Sequence, residues 1–306
     1  MRRVRVALRA AGAVIVRLGF LTIASSVTTL VLVWLLEPFR GAGTFGLFVT
    51  ALATCLGLLA GTWATLAVFE KRSLAAVGLH TGSTASLEAA YGLGFGAAIT
   101  ATTGLVLFLL GWLSFRDGDG VLLEGLRQAA GLTGFVAFAA AFEELLFRGY
   151  PFQLIWSRLG LPVALGLSAG LFALAHLGNP ALTPLAFVNL ALAGLLLALV
   201  YVKTRSLWAA IGVHAGWNWV LAVPLDQPVS GFVFGMPGYD VVETGPDLFT
   251  GGAFGPEGGL VVTAVTAGAI AWTARTRRLR PTAAARAAGP VADAAPVAAA
   301  AESRDG

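Results

Sequence analysis

Leu185-Ala-Phe-Val-Asn-Leu-Ala-Leu-Ala-Gly-Leu-Leu-Leu-Ala-Leu-Val-Tyr-Val202 runs for eighteen residues without a charge and is closed by Lys203 and Arg205. As a helix rising 1.5 Å per residue it reaches about 27 Å, close to the ~30 Å of bilayer hydrocarbon. Runs of similar character lie at about 14–36, 44–69, 87–113, 126–157, 162–178, 207–224 and 258–274. The composition agrees: 57% of the 306 residues are apolar and 12% are charged, against roughly 25% charged in a soluble domain. Mean hydropathy is +0.82. The lone Cys55 excludes an intrachain disulfide and a Cys-based zinc site. The basic residues are few and sit at helix ends, so the sequence pI near 9.7 describes no nucleic-acid surface. The expected surroundings are a lipid bilayer, and nucleic acid is not an expected partner.

The loops sort by charge. One alternating set holds Arg2–Arg9, Lys71, Arg72, Arg158, Lys203, Arg205 and Arg275–Arg280. The other holds Arg40 and Arg116 among Asp117, Asp119, Asp226, Asp240, Glu243, Asp247 and Glu257. By the positive-inside rule, the fold class expected is an all-α polytopic transmembrane helical bundle of about eight spans with both termini cytoplasmic, most plausibly in the cell membrane. Residues 1–125 read as N-terminal transmembrane helices and 126–280 as a membrane core with an external loop at 225–257. Residues 281–306, rich in Ala, Pro and Gly, read as a disordered cytoplasmic tail. The Gly- and Pro-rich stretch from Ser230 to Gly259 carries Phe232, Phe234, Phe249 and Phe254. It is too apolar for a solvated linker and is expected to be re-entrant or packed over the bundle.

An ionisable group deep in hydrocarbon costs at least about 2.5–3.5 kcal/mol and marks a functional hypothesis. Of sixteen acidic residues only Glu143 and Glu144 fall well inside a span, and of three histidines only His176 and His214. Arg148 completes the set. Glu144 and Arg148 are spaced i,i+4 in the order that favours an ion pair. His214 and Asn218 share a helix face at the same spacing, as do Phe172 and His176. Glu144 precedes the turn at Gly160 by sixteen residues and His176 follows it by sixteen. In a helical hairpin equal counts mean equal depth, about 24 Å along each helix. The polar groups of three helices can therefore converge. A carboxylate beside two imidazoles can act as general base on water or help hold a divalent metal that acidifies it, and an Asn amide can donate to an oxyanion.

Glu143-Glu144-Leu-Leu-Phe-Arg148 resembles the EExxxR motif of the CPBP family of type II CAAX prenyl proteases and bacteriocin-processing enzymes. Phe172-Ala-Leu-Ala-His176 is similar to its FxxxH motif and His214-Ala-Gly-Trp-Asn218 to its HxxxN motif. The likeness centres on residues 130–225. It implies an intramembrane endopeptidase acting on a membrane protein or peptide, CAAX-type among the options. It implies Glu143 as general base, and His176 as the group that activates water or holds a metal. His214 and Asn218 would stabilise the oxyanion or complete a metal site, with Glu144, Arg148 and Phe172 in support. Glu143, His176 and His214 are the implied metal donors, zinc being the divalent ion the family name suggests, and a metal-free glutamate mechanism is equally open. No His-Glu-x-x-His occurs.

Two other readings compete. Buried Glu and His also serve proton relays, so a proton-coupled transporter, an immunity protein or a non-proteolytic scaffold is the alternative. Gly166-Leu-Ser168-Ala-Gly170 spells the G-x-S-x-G of serine hydrolases. That elbow needs a strand–turn–helix context, whereas Ser168 sits in an apolar run, and small-residue helix packing at Gly166 and Gly170 is the expectation instead. Trp217 reads as a packing aromatic, and Asn179 and Asn189 as loop and interhelical hydrogen-bonding residues.

Overall fold

The computed structural model describes residues 2–118 and 120–288. Asp119 and the expected tail from residue 289 onward lie outside the described residues. The chain is a helical membrane bundle. Its helices are α1 (Arg2–Leu36), α2 (Gly43–Thr65), α3 (Ser83–Leu109), α4 (Leu122–Arg148), α5 (Tyr150–Leu159), α6 (Leu161–Ala175), α7 (Pro184–Thr204), α8 (Leu207–Ala222), α9 (Asp247–Thr250), α10 (Leu260–Arg275) and α11 (Ala283–Ala288). The last of these falls within the segment expected to be disordered. Among the described residues five segments are long and apolar enough to cross a membrane: Gly12–Phe39, Gly43–Glu70, Ser83–Leu109, Leu122–Leu159 and Pro184–Thr204. The shorter apolar helices α6 and α10 accompany them.

The expected single span at 126–157 is in fact two helices. Gly149 leaves helical geometry at ψ −135, and Pro151 follows one residue later. Proline has no N–H to return to the carbonyl four residues back, so the Phe147 carbonyl is left free. Ser168 Oγ takes it up at 3.2 Å, tying α6 to α4. Ser168 is thus a buried packing hydroxyl. The neighbouring expectation fails, however. A Cβ built on Gly166 or Gly170 would meet nothing within 4 Å, so these glycines face open surface and pack no helix.

Close glycine packing occurs instead between α3 and α8. A Cβ on Gly96 would lie 1.9 Å from the Val213 carbonyl oxygen, and one on Gly216 2.2 Å from that of Leu93. Gly92 and Gly212 make equivalent approaches, so Gly92-x-x-x-Gly96 meets Gly212-x-x-x-Gly216 backbone to backbone. In lipid, where no hydrophobic force draws helices together, such close contact supplies the dispersion attraction. It fixes α8, which carries His214 and Asn218. The other ends of α7 and α8 are set by local chemistry. Thr183 and Ser206 cap them by accepting from the N–H of Ala186 and Ala209.

The two loop sets gather at opposite ends of the bundle. At one end β1 (Leu113–Asp117) pairs antiparallel with β2 (Tyr239–Glu243), setting Arg116 opposite Asp240. Gln128 reaches from α4 to Thr44 and to the Phe234 and Gly235 carbonyls. At the other end Leu207 N–H donates to the Gly78 carbonyl, Trp208 Nε1 to that of His80, and Lys203 to that of Thr276. His80 is buried there, 3.0 Å from Glu88. The loop after α8 packs against the bundle, lining a cavity with Val229, Ser230, Phe232, Phe234 and Glu257. It is pinned by β2 and by the turns that precede α10.

Gly96→Val should lower the unfolding free energy by about 1–3 kcal/mol through overpacking. Gly166→Val, on an open face, should change it by less than about 0.5 kcal/mol. Denaturant titration in detergent separates the two. In the outer loop, burial pushes the Asp226 carboxyl up to about 6 from 3.8, a backbone bond from Met236 opposing and the charge of Asp240 adding. An acid whose folded pKa is raised binds its proton more tightly in the native state, so stability is lost as pH rises from about 4 to 6. Asp226→Asn should remove that part of the pH dependence of the thermal midpoint, measured between pH 4 and 7.

Candidate active site

Glu143, Glu144 and Arg148 lie in the last two turns of α4. The Glu144 and Arg148 side chains have no solvent exposure. Arg148 Nη1 donates to Glu144 Oε1 at 2.9 Å, and Nη2 donates to the Gly194 carbonyl of α7 at 2.6 Å. Its guanidinium also covers the Phe172 ring at 4.8 Å. The same Glu144 Oε1 accepts from His214 Nδ1 at 2.9 Å. A carboxylate can only accept, so Nδ1 carries a proton, and in its neutral form His214 has its lone pair at Nε2.

His176 reaches the same state by another route. The expectation placed it inside a span, but α6 ends at Ala175 and His176 caps it, its N–H turning to the Ala173 carbonyl at 3.1 Å. The Phe172 carbonyl loses its helical donor, as the last carbonyls of any helix do. His176 Nδ1 donates to it at 2.7 Å, leaving Nε2 as the lone-pair nitrogen. The Phe172 ring lies 4.8 Å from the His176 ring and 5.7 Å from the His214 ring, so it fixes both planes.

Both Nε2 atoms face one carboxylate oxygen. Glu143 Oε2 is 4.0 Å from His176 Nε2 and 3.9 Å from His214 Nε2, and it is buried without a hydrogen-bond partner. These gaps exceed a direct hydrogen bond and suit a water bonded to both partners. As metal donors, two imidazole nitrogens with oriented Nδ1–H groups and a carboxylate have the right chemistry. Their spacing is wider than a tetrahedral zinc centre needs, where ligands bound at 2.0–2.1 Å lie about 3.3–3.4 Å apart. Among the described residues no trio of His, Cys, Asp or Glu reaches metal-holding geometry.

The cavity around this triangle has a volume of about 330 Å³ and is walled by α4, α6, α7 and α8. Asn218 lines it one turn beyond His214. All seven residues singled out in sequence, Glu143, Glu144, Arg148, Phe172, His176, His214 and Asn218, therefore meet in one place. No lining residue is Arg or Lys. α4 packs mainly on α2 and α8, and α6 mainly on α7, so α4 and α6 touch each other little.

The sequence reading missed the outer wall. Val229, Ser230, Phe232, Phe234 and Glu257 of the external loop line the cavity too. Glu257, placed with the solvated loop acids, is 7% exposed. Burial pushes its carboxyl up, while donors from Ser230, the nearby His176 and the Trp217 N–H pull it back. Trp217, read as a packing aromatic, donates to it at 3.0 Å. The available signal was a single acid inside the otherwise uncharged stretch Leu248–Leu260.

Glu144→Gln should cost about 3–5 kcal/mol of stability, because it leaves the buried Arg148 guanidinium without its counter-charge. Pairing it with Arg148→Met should recover much of that loss in the same unfolding titration.

No curated protein and no solved structure matches the chain. Residues 125–220 match the family model described as type II CAAX prenyl endopeptidase Rce1-like. The match is under half of the chain, but it contains every one of the seven converging residues. Over residues 125 to 220 the chain is thus similar to the Rce1-like type II CAAX prenyl endopeptidases, a protease family.

Proposed function

We propose that this protein is an intramembrane endopeptidase, acting in the cell membrane, that hydrolyses a peptide bond of a membrane-associated protein or peptide. The observation that carries the reading is the unpartnered, buried Glu143 Oε2 between two imidazole lone pairs. A water placed there gives one proton to Glu143 and directs the other to His176 Nε2. Its oxygen attacks the scissile carbonyl carbon. The new oxyanion accepts from the Asn218 amide, while His214, its Nδ1–H held by Glu144, keeps its Nε2 beside Glu143. Collapse breaks the C–N bond, and the proton held by Glu143 passes to the departing amine. Zinc, if held by Glu143, His176 and His214, would supply Lewis acidity toward the water at the same place.

The lining supports the substrate class. Six phenylalanines (Phe135, Phe142, Phe147, Phe172, Phe232 and Phe234) face the cavity, which suits an apolar segment. No cation is present to hold a terminal carboxylate, which favours cleavage within a chain over trimming of its end. The family supports a CAAX-type substrate.

Glu143→Gln changes one atom and should leave the unfolding curve in place while lowering the cleavage rate by about 10²–10⁴-fold. Comparative peptidomics of membranes carrying wild type or variant is the readout. Wild-type cleavage that persists in the variant would remove Glu143 as the base. Substrate-driven flux in liposomes with no peptide product would favour the transporter reading. Metal analysis of the active protein, with chelation and zinc return, decides between the two routes to activated water.

A further inference from the structure

The mechanism uses Glu143 and leaves a second cavity carboxylate, Glu257, without a part. The two differ in a telling way. Glu143 Oε2 has no partner, whereas both oxygens of Glu257 are engaged: Oε1 accepts from Trp217 Nε1 at 3.0 Å, and Oε2 accepts from the N–H of Ser230 and from its Oγ at 3.0 Å. A carboxylate filled with donors is a brace and not a free base.

The brace joins two arms. Trp217 sits on α8 between His214 and Asn218. On the other side the Ser230 carbonyl accepts from Asn179 Nδ2 at 2.8 Å, and the Asn179 N–H donates to the His176 carbonyl at 3.0 Å. The loop is pressed against that turn. Gly231 has φ +89, and a Cβ there would lie 2.1 Å from the Pro180 carbonyl oxygen. Glu257 is held in turn from α7, where Asn189 Nδ2 donates to its carbonyl at 2.8 Å and to that of Gly259 at 3.0 Å. A continuous chain of bonds therefore runs from the His176 turn through Ser230, Glu257 and Trp217 to the helix of His214 and Asn218.

We propose that Glu257 is a positioning residue of the site, whose carboxylate sets the spacing between the His176 arm and the His214–Asn218 arm from the external side. This rests on the peptidase reading. An error in that spacing would affect the transition state, where water, carbonyl and oxyanion donors must align together, more than it would affect binding of an apolar segment.

The test uses the full chain in lipid nanodiscs. Glu257→Gln puts an NH₂ where one of the two N–H donors must be met, so one arm is released. The kcat for a cleaved membrane peptide should fall about tenfold or more, with KM within about twofold. Amide exchange should quicken about tenfold at both 176–180 and 228–232. Trp217→Phe, which cuts the bond to α8, should lower kcat and combine with Glu257→Gln less than additively. Unchanged exchange at 176–180, an unchanged kcat, a loss confined to KM, or full additivity would each overturn the proposal. If the wild type cleaves nothing while the exchange pattern changes as described, the peptidase reading fails and the coupling of the two arms stands.

Discussion

Glu144 and Arg148 have no water to turn to. Their side chains are fully buried in a bundle whose outer surface is lipid-facing, where an isolated charge of either sign would cost several kcal/mol. Each neutralises the other, and the groups they leave unsatisfied dictate what surrounds them. The second guanidinium nitrogen needs an acceptor and finds the Gly194 carbonyl, which sets the height of α7 against α4. The shared carboxylate oxygen takes the Nδ1–H of His214, which sets the rotation of α8. Remove the pair and both helices lose the bonds that key them to α4 at that depth.

The reactive groups are held by helix ends as much as by helices. Pro151 frees the Phe147 carbonyl for Ser168, and the end of α6 frees the Phe172 carbonyl for His176. Both imidazoles are thereby locked by a bond at Nδ1 and present Nε2 to the cavity. Two different local devices, one a buried ion pair and one a helix terminus, converge on the same protonation pattern. That shared pattern lets a single carboxylate, Glu143, serve both.

Much of this was legible in the sequence because charge is rare there. A lone Glu-Glu-x-x-x-Arg in an apolar run and two histidines at matching helical counts left few other places for a site. Counting residues from Gly160 put Glu144 and His176 at one depth, and the break at Gly149 did not spoil it because α5 continues the descent before the chain turns. The failures have the same root. Periodicity reports composition and not contact, so it could not show that Gly166 and Gly170 face outward while Gly92, Gly96, Gly212 and Gly216 carry the packing. Nor could it show that Glu257, nearly forty residues beyond Asn218, folds back into the cavity, since loop closure depends on single hydrogen bonds that no pattern announces.

The outer loop is fastened at several points: by the β1–β2 ladder, by Glu257, and by the bonds of Asn189 and Asn179. A roof so fastened does not swing like a flap. On the peptidase reading, a substrate dissolved in the bilayer then enters between helices, and α4 and α6, which touch each other little, leave little packing to displace. Encounter becomes a two-dimensional problem. Its rate follows the number of substrate molecules per area of membrane and their lateral diffusion, and diluting the cells or vesicles in bulk water should leave it unchanged.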